Sequence, residues 1–228
     1  MAKIPVIAID GPAGVGKSTI ACRLAKTLGY NILISGVLYR IFGMQLHQSQ
    51  IASDDKYQIE SLIAGTDLRF VLSDDGVQIY LNDTLIGDNI YQENYAKMAS
   101  AIGESAVLRT ALLPMQRGFR RPPGLVADGR DMASVVFPDA MLKIFLQADI
   151  NERCRRRQQQ LELRGVYATL DTLYKELLQR DQRDSERSIA RLKIVDNAIV
   201  LDTTKLSIIE VVNELMGVVE SKLNERGK

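Results

Sequence analysis

Crosslinking and metal-ligating side chains are scarce in this sequence. Its two cysteines, Cys22 and Cys154, lie far apart, and His47 is the single histidine. That inventory excludes a disulfide framework and offers no Cys/His cluster with zinc spacing. Long uncharged apolar runs are missing too, and none approaches the roughly 20 residues of a membrane span. The opening MAKIPVIAID has too short an apolar run for a secretion signal, so a cytoplasmic chain is expected. Neither sign of charge dominates: 29 Lys and Arg face 28 Asp and Glu, a net charge of +1. A uniformly basic nucleic-acid coat is thereby excluded. Repeats, low-complexity stretches and linkers are absent as well. What is present, 228 residues of which 46% are hydrophobic and 25% charged, suffices for one full core.

Short apolar runs rich in β-branched residues recur at Ile4 to Asp10, Asn31 to Ile34, Leu125 to Asp128, Met141 to Leu146 and Ala198 to Leu201. Longer helical patterns separate them, among them Lys17 to Leu28, Gln92 to Arg120 and Leu170 to Arg187. Strands alternating with helices predict an α/β fold with a parallel sheet covered on both faces. Thr66 to Ile90 breaks the rhythm. There DLRFVL, VQIYL and TLIGD are separated by Asp74-Asp75-Gly76 and Asn82-Asp83, which predicts a small antiparallel meander inserted into the main unit. Ser207 and Glu210 have capping-box spacing and mark the start of a last helix.

The first strand runs into Gly11-Pro12-Ala13-Gly14-Val15-Gly16-Lys17-Ser18, followed by Thr19 and a helix. This matches the phosphate-loop pattern at every fixed position and in the required strand–loop–helix setting. Its glycines let backbone N–H groups converge on phosphates. The helix start adds partial positive charge, Lys17 reaches the β/γ-phosphates and the Ser18 hydroxyl is placed to ligate Mg²⁺. Nucleotide triphosphate binding follows, but not its use, because switches and kinases share the loop. No N-K-x-D guanine reader and no D-x-x-G switch element follows a suitable strand, which disfavours a regulatory switch.

Three further segments sit where a ligand crevice is expected, just past strand ends or late in a helix. They are Ser35-Gly36-Val37-Leu38-Tyr39-Arg40, Asp128-Gly129-Arg130-Asp131-Met132, and Arg180 to Arg187. Arg40, Arg130 and the cluster Arg153, Arg155, Arg156, Arg157 and Arg164 offer guanidinium forks for a second phosphate group. Taken alone, such a cluster reads equally well as a solvated helix face. Arg180, Asp184 and Arg187 fall at spacings of four and three and share one helix face.

Over nearly its whole length the sequence resembles the bacterial cytidylate kinases. The resemblance is carried in order by GPAGVGKST, SGVLYR, PGLVADGRDM with VVFPDA after it, NERCRRR and RDQRDSER, together with the strand-rich insert before Ser100. It implies one kinase domain, with a core at about 1–62 and 95–228, a CMP-side insert at about 63–94 and a lid at about 149–168. It implies ATP and Mg²⁺ on the donor side, and CMP or dCMP as acceptor in pyrimidine metabolism, in a monomer. Ser35, Arg40, Arg130 and Arg187 would surround the CMP phosphate and sugar, with Arg180 and Asp184 near the ribose. Ser100, Arg109 and Asp131 would read the cytosine. Arg153, Arg156 and Arg157 would belong to the lid, with Lys17, Arg130, Arg153 and Arg157 as the catalytic set. The sequence departs from the family pattern at Ile34, where Asp is common, at Ala133-Ser134 in place of Gly-Thr, and at Arg191 in place of Pro.

Overall fold

The computed structural model describes residues 3–163, 165–187 and 189–226. Arg164, counted above with the arginine cluster, lies outside them. Five strands form an all-parallel sheet: β1 (Val6–Asp10), β2 (Asn31–Ile34), β6 (Leu125–Asp128), β7 (Leu142–Gln147) and β8 (Ile199–Asp202), in the order β2-β6-β1-β7-β8. Every residue of β1 and β6 is buried, whereas the edge strand β8 exposes alternate residues. Central strands covered on both faces need continuous apolar side chains, which is why these segments read as unbroken apolar runs. Helices α1 (Lys17–Leu28), α2 (Ser35–Gln48), α3 (Lys56–Ala64), α4 (Glu93–Ile102), α5 (Ala106–Gly118), α6 (Ile150–Glu162), α7 (Leu170–Glu186) and α8 (Ile208–Arg226) complete the unit.

The expected meander is present as β3 (Leu68–Ser73), β4 (Gly76–Leu81) and β5 (Thr84–Ile86), paired antiparallel. Gly76, Asn82 and Asp83 take positive φ at its two turns, the conformation tight hairpins require. This sheet is not a detached module, because Leu68 and Ile79 are buried in the same hydrophobic core as Ile7, Leu38 and Phe42. Lys26 on α1 also reaches Asp74 at the first turn, 2.7 Å away.

The helical pattern from Gln92 to Arg120 proves to be two helices. After Gly103 the chain turns, and Ser105 starts α5 by accepting the Leu108 N–H while donating to the Ser53 carbonyl at 2.6 Å. That second bond, to a residue 52 positions away, fixes the break and has no local signature. The last helix begins as expected, with Ser207 and Glu210 exchanging backbone N–H bonds of 2.8 and 3.3 Å. Among the described residues no helix is long and apolar enough to cross a membrane.

Candidate functional site

The carboxyl ends of β1, β2 and β6 open into one crevice of about 930 Å³. An open parallel sheet places its ligand site there, where the chain leaves neighbouring strands in different directions. One wall is the loop from Gly11 to Gly16 and the start of α1. Gly16 has φ of 93°, which turns the loop into the helix. At Gly11 φ is 150°, and a Cβ would strike the Leu146 carbonyl oxygen on the neighbouring strand. Both positions therefore demand glycine.

Lys17 is buried, and its Nζ donates to the Pro12 carbonyl at 2.8 Å. Burial, then repulsion from Arg130 and Arg180, lowers its pKa to about 7, against the pull of Asp128 and Asp184. A lysine held so far below its usual range carries a burial cost that the nearby carboxylates do not offset. Beside it the Ser18 hydroxyl donates to the Asp128 carboxylate at the end of β6. The sequence pattern places Asp128 in a crevice segment without assigning it a role, although an apolar strand ending in an acid next to the phosphate loop is a readable signal.

The opposite wall gathers the remaining expected residues. Arg130 donates through Nε to Asp184 at 2.8 Å, and Arg187 meets the other oxygen of the same carboxylate at 2.7 Å. Burial opposes the charge on Asp184, but Arg130, Arg187 and Arg180 outweigh it and hold its pKa down. Arg180 is pushed down to about 10 by burial and by Arg130. Arg40 is buried, with Nη1 on the carbonyls of Ile90 (2.9 Å) and Gln92 (3.2 Å). Ser35 accepts a 3.1 Å bond from the buried Gln116, a support 81 positions away with no local signature in the chain. Arg109 pairs with Asp131, donates to the Gly103 carbonyl and lies over the Tyr39 ring at 5.5 Å. Burial raises the Asp131 carboxyl in spite of Arg109.

Several buried polar atoms at this wall have no partner among the described residues: Ser100 Oγ, Arg187 Nε and Tyr39 Oη. Native interiors rarely leave such groups unmade, so an arrangement of this kind is suited to a polar ligand. The arginines of α6 divide. Arg153 is buried, bonded to the Ala13 carbonyl and to Asp181. Arg156 binds Glu152, the Val15 carbonyl and Thr203. Arg157 alone of the three lines the crevice, its guanidinium 3.3 Å from Glu93 on α4. His47 is exposed in the last turn of α2, away from this chemistry.

A crevice with a phosphate loop on one side and an arginine-rich polar wall on the other suits two phosphate-bearing ligands. The family profile described as cytidylate kinase matches residues 7–221. The chain belongs to the cytidylate kinase family. Among its relatives, the cytidylate kinase of Nitrosococcus oceani is 45% identical over 216 residues, covering 94% of this chain and 95% of its own. That of Pseudomonas paraeruginosa is 45% identical with the same coverage. The Methylococcus capsulatus enzyme is 44% identical over 218 residues, spanning 96% and 98% of the two chains. Cytidylate kinase membership and the observed parallel sheet agree with the fold expected from the strand–loop–helix order.

Proposed function

We propose that this chain transfers the γ-phosphate of ATP to CMP or dCMP, giving ADP and CDP or dCDP, as a monomer acting on cytoplasmic nucleotides. The observation that carries the reading is the buried Arg109–Asp131 pair beside the unpartnered Ser100 hydroxyl, in the same crevice as the phosphate loop. Cytosine presents an N4 amino donor and N3 and O2 acceptors. A carboxylate suits the first and a guanidinium the others, whereas uracil offers O4 and N3–H in the wrong sense.

The acceptor is a phosphate oxygen already ionised at neutral pH, so no general base is required. Catalysis is then positioning and charge neutralisation. Gly11 to Thr19 would hold the ATP phosphates. Ser35, Arg40, Arg130 and Arg187 would hold the acceptor phosphate and sugar, with Arg180 and Asp184 at the ribose. Lys17 and Arg157 would meet charge on the phosphoryl group in flight, with residues 149–168 closing as a lid and residues 63–94 forming the acceptor-side insert. Arg153 and Arg156 would act in that lid through the phosphate-loop carbonyls they grip. Ser18 Oγ and the Asp128 carboxylate touch each other and are hard oxygen donors, a set that fits Mg²⁺ held largely by ATP oxygens and water. When bound, the ion neutralises charge on the phosphoryl oxygens.

The test is Asp131→Ala, assayed with CMP and UMP at saturating ATP. A site that pairs polar groups with its substrate rejects mismatched analogues strongly, so the variant should narrow the CMP-to-UMP ratio of kcat/KM by at least about tenfold. An equal loss for both acceptors would refute the assignment.

A further inference from the structure

β1 ends in Ile9 and Asp10, and both reach sideways to the segment that follows β6. The Ile9 carbonyl accepts the Gly129 N–H at 3.0 Å. The two oxygens of the Asp10 carboxylate accept the N–H groups of Met132 and Ala133, each at 2.8 Å. Arg130 and Asp131 lie between these anchors. The short stretch carrying one expected phosphate contact and one expected base contact is therefore pinned at both ends to the last two residues of the central strand. The next residue along β1 is Gly11, where the phosphate loop begins.

Asp10 is 2% exposed. Burial pushes its carboxyl up to about 6, even though the two backbone N–H groups and Lys17 pull it down. Burying an acid this way is expensive unless its hydrogen bonds do something a neutral residue cannot. Two consecutive backbone N–H groups need two acceptor oxygens side by side. A carboxylate has them, while an amide has one acceptor and one donor. An apolar side chain here would leave both N–H groups unsatisfied in the interior.

We infer that Asp10 is a positioning residue for base selection: its paired hydrogen bonds fix where the Asp131 carboxylate meets Arg109, and so set how strongly the acceptor site prefers cytosine to uracil. The inference rests on the reading of Asp131 as the cytosine contact. Asp10 itself touches no substrate; it acts through the 129–133 segment.

The experiment compares wild type, Asp10→Asn and Asp131→Ala, measuring kcat/KM for CMP and UMP, the KM for ATP and the melting temperature. Asn keeps one acceptor and turns its NH₂ toward the second N–H. The CMP-to-UMP ratio should then fall by at least about fivefold, mainly through the KM for CMP, with the KM for ATP within about twofold of wild type. A role confined to stability would lower the melting temperature and leave the ratio alone. If Asp131→Ala narrows the ratio and Asp10→Asn does not, the Asp10 inference is overturned and the base reading stands. If neither variant narrows it, both fall. Should Asp10→Asn not fold, amide exchange on the wild type decides. Linkage requires the Met132 and Ala133 N–H groups to be better protected with CMP bound than with UMP at equal saturation by the same factor, at least about fivefold, and equal protection overturns the inference.

Discussion

Lys17 provides the most quantitative test of the crevice, because its proton count should change when ATP binds. Burial and the repulsion of Arg130 and Arg180 bring its pKa from 10.5 to about 7. In the folded chain it therefore binds fewer protons than in the unfolded chain between those two values. The stability of the ligand-free protein should accordingly rise with pH across that window. At pH 8 a group of pKa about 7 is only about one-tenth protonated, and a triphosphate beside it restores the charged form, so binding should take up about 0.9 proton per site. Calorimetric titration with Mg·ATP at pH 8, in buffers of different ionisation enthalpy, gives that number as a slope. ATP phosphates are fully ionised at this pH, so the uptake belongs to the protein. Lys17→Ala should remove the slope and lower kcat by at least about a hundredfold with little loss of fold. A zero slope in the wild type, or an unchanged slope in the variant, would refute the electrostatic account of this wall.

Arg157→Ala should lower kcat more than it raises the KM for CMP, as expected of a group that acts mainly on the transition state; an unchanged kcat would leave Arg157 with no part in the transfer step. Gly11→Ala places a Cβ against the Leu146 carbonyl at a φ of 150°, and should cost at least about 3 kcal/mol. Thermal unfolding should show this as a drop of roughly 6–12 °C, and a shift under about 2 °C would contradict it. Ser207→Ala removes one half of the capping box on α8 and should cost about 1 kcal/mol, read by denaturant unfolding.

What the sequence reveals and what it hides divide by distance along the chain. β1, β2 and β6 are legible because a strand buried on both faces has to be apolar throughout, and the phosphate loop because its glycines and Lys17 are consecutive. Arg180 and Asp184 are legible as one helix face, to which the structure brings Arg130; Arg187, expected on the same face, lies just past the helix end and reaches Asp184 from there. The hidden parts depend on contacts made across the fold. Gln116 reaches Ser35 over 81 positions and Asp10 reaches Ala133 over 123, and neither leaves a periodic or compositional trace. The division of Arg153, Arg156 and Arg157 is hidden for the same reason. One helix carries all three, and what each can do depends on carbonyls of Ala13, Val15 and Thr203 and on acids of other helices.

The crowding of Lys17, Arg130 and Arg180 into one crevice also bears on how long a molecule of this protein lasts. Lys17 and Arg180 carry their charges in the interior at a cost that Asp128 and Asp184 offset only in part, which opposes the folded state, and an anionic substrate reduces that opposition as it binds. A ligand at about a hundred times its dissociation constant adds about 2.7 kcal/mol of stability. Where unfolded chains are cleared by proteases, a change of that size alters steady-state abundance several-fold. The charge density that readies the crevice for phosphates thus ties the survival of the chain to the supply of nucleotide, so that starvation for substrate would thin the enzyme population before any regulator acted on it.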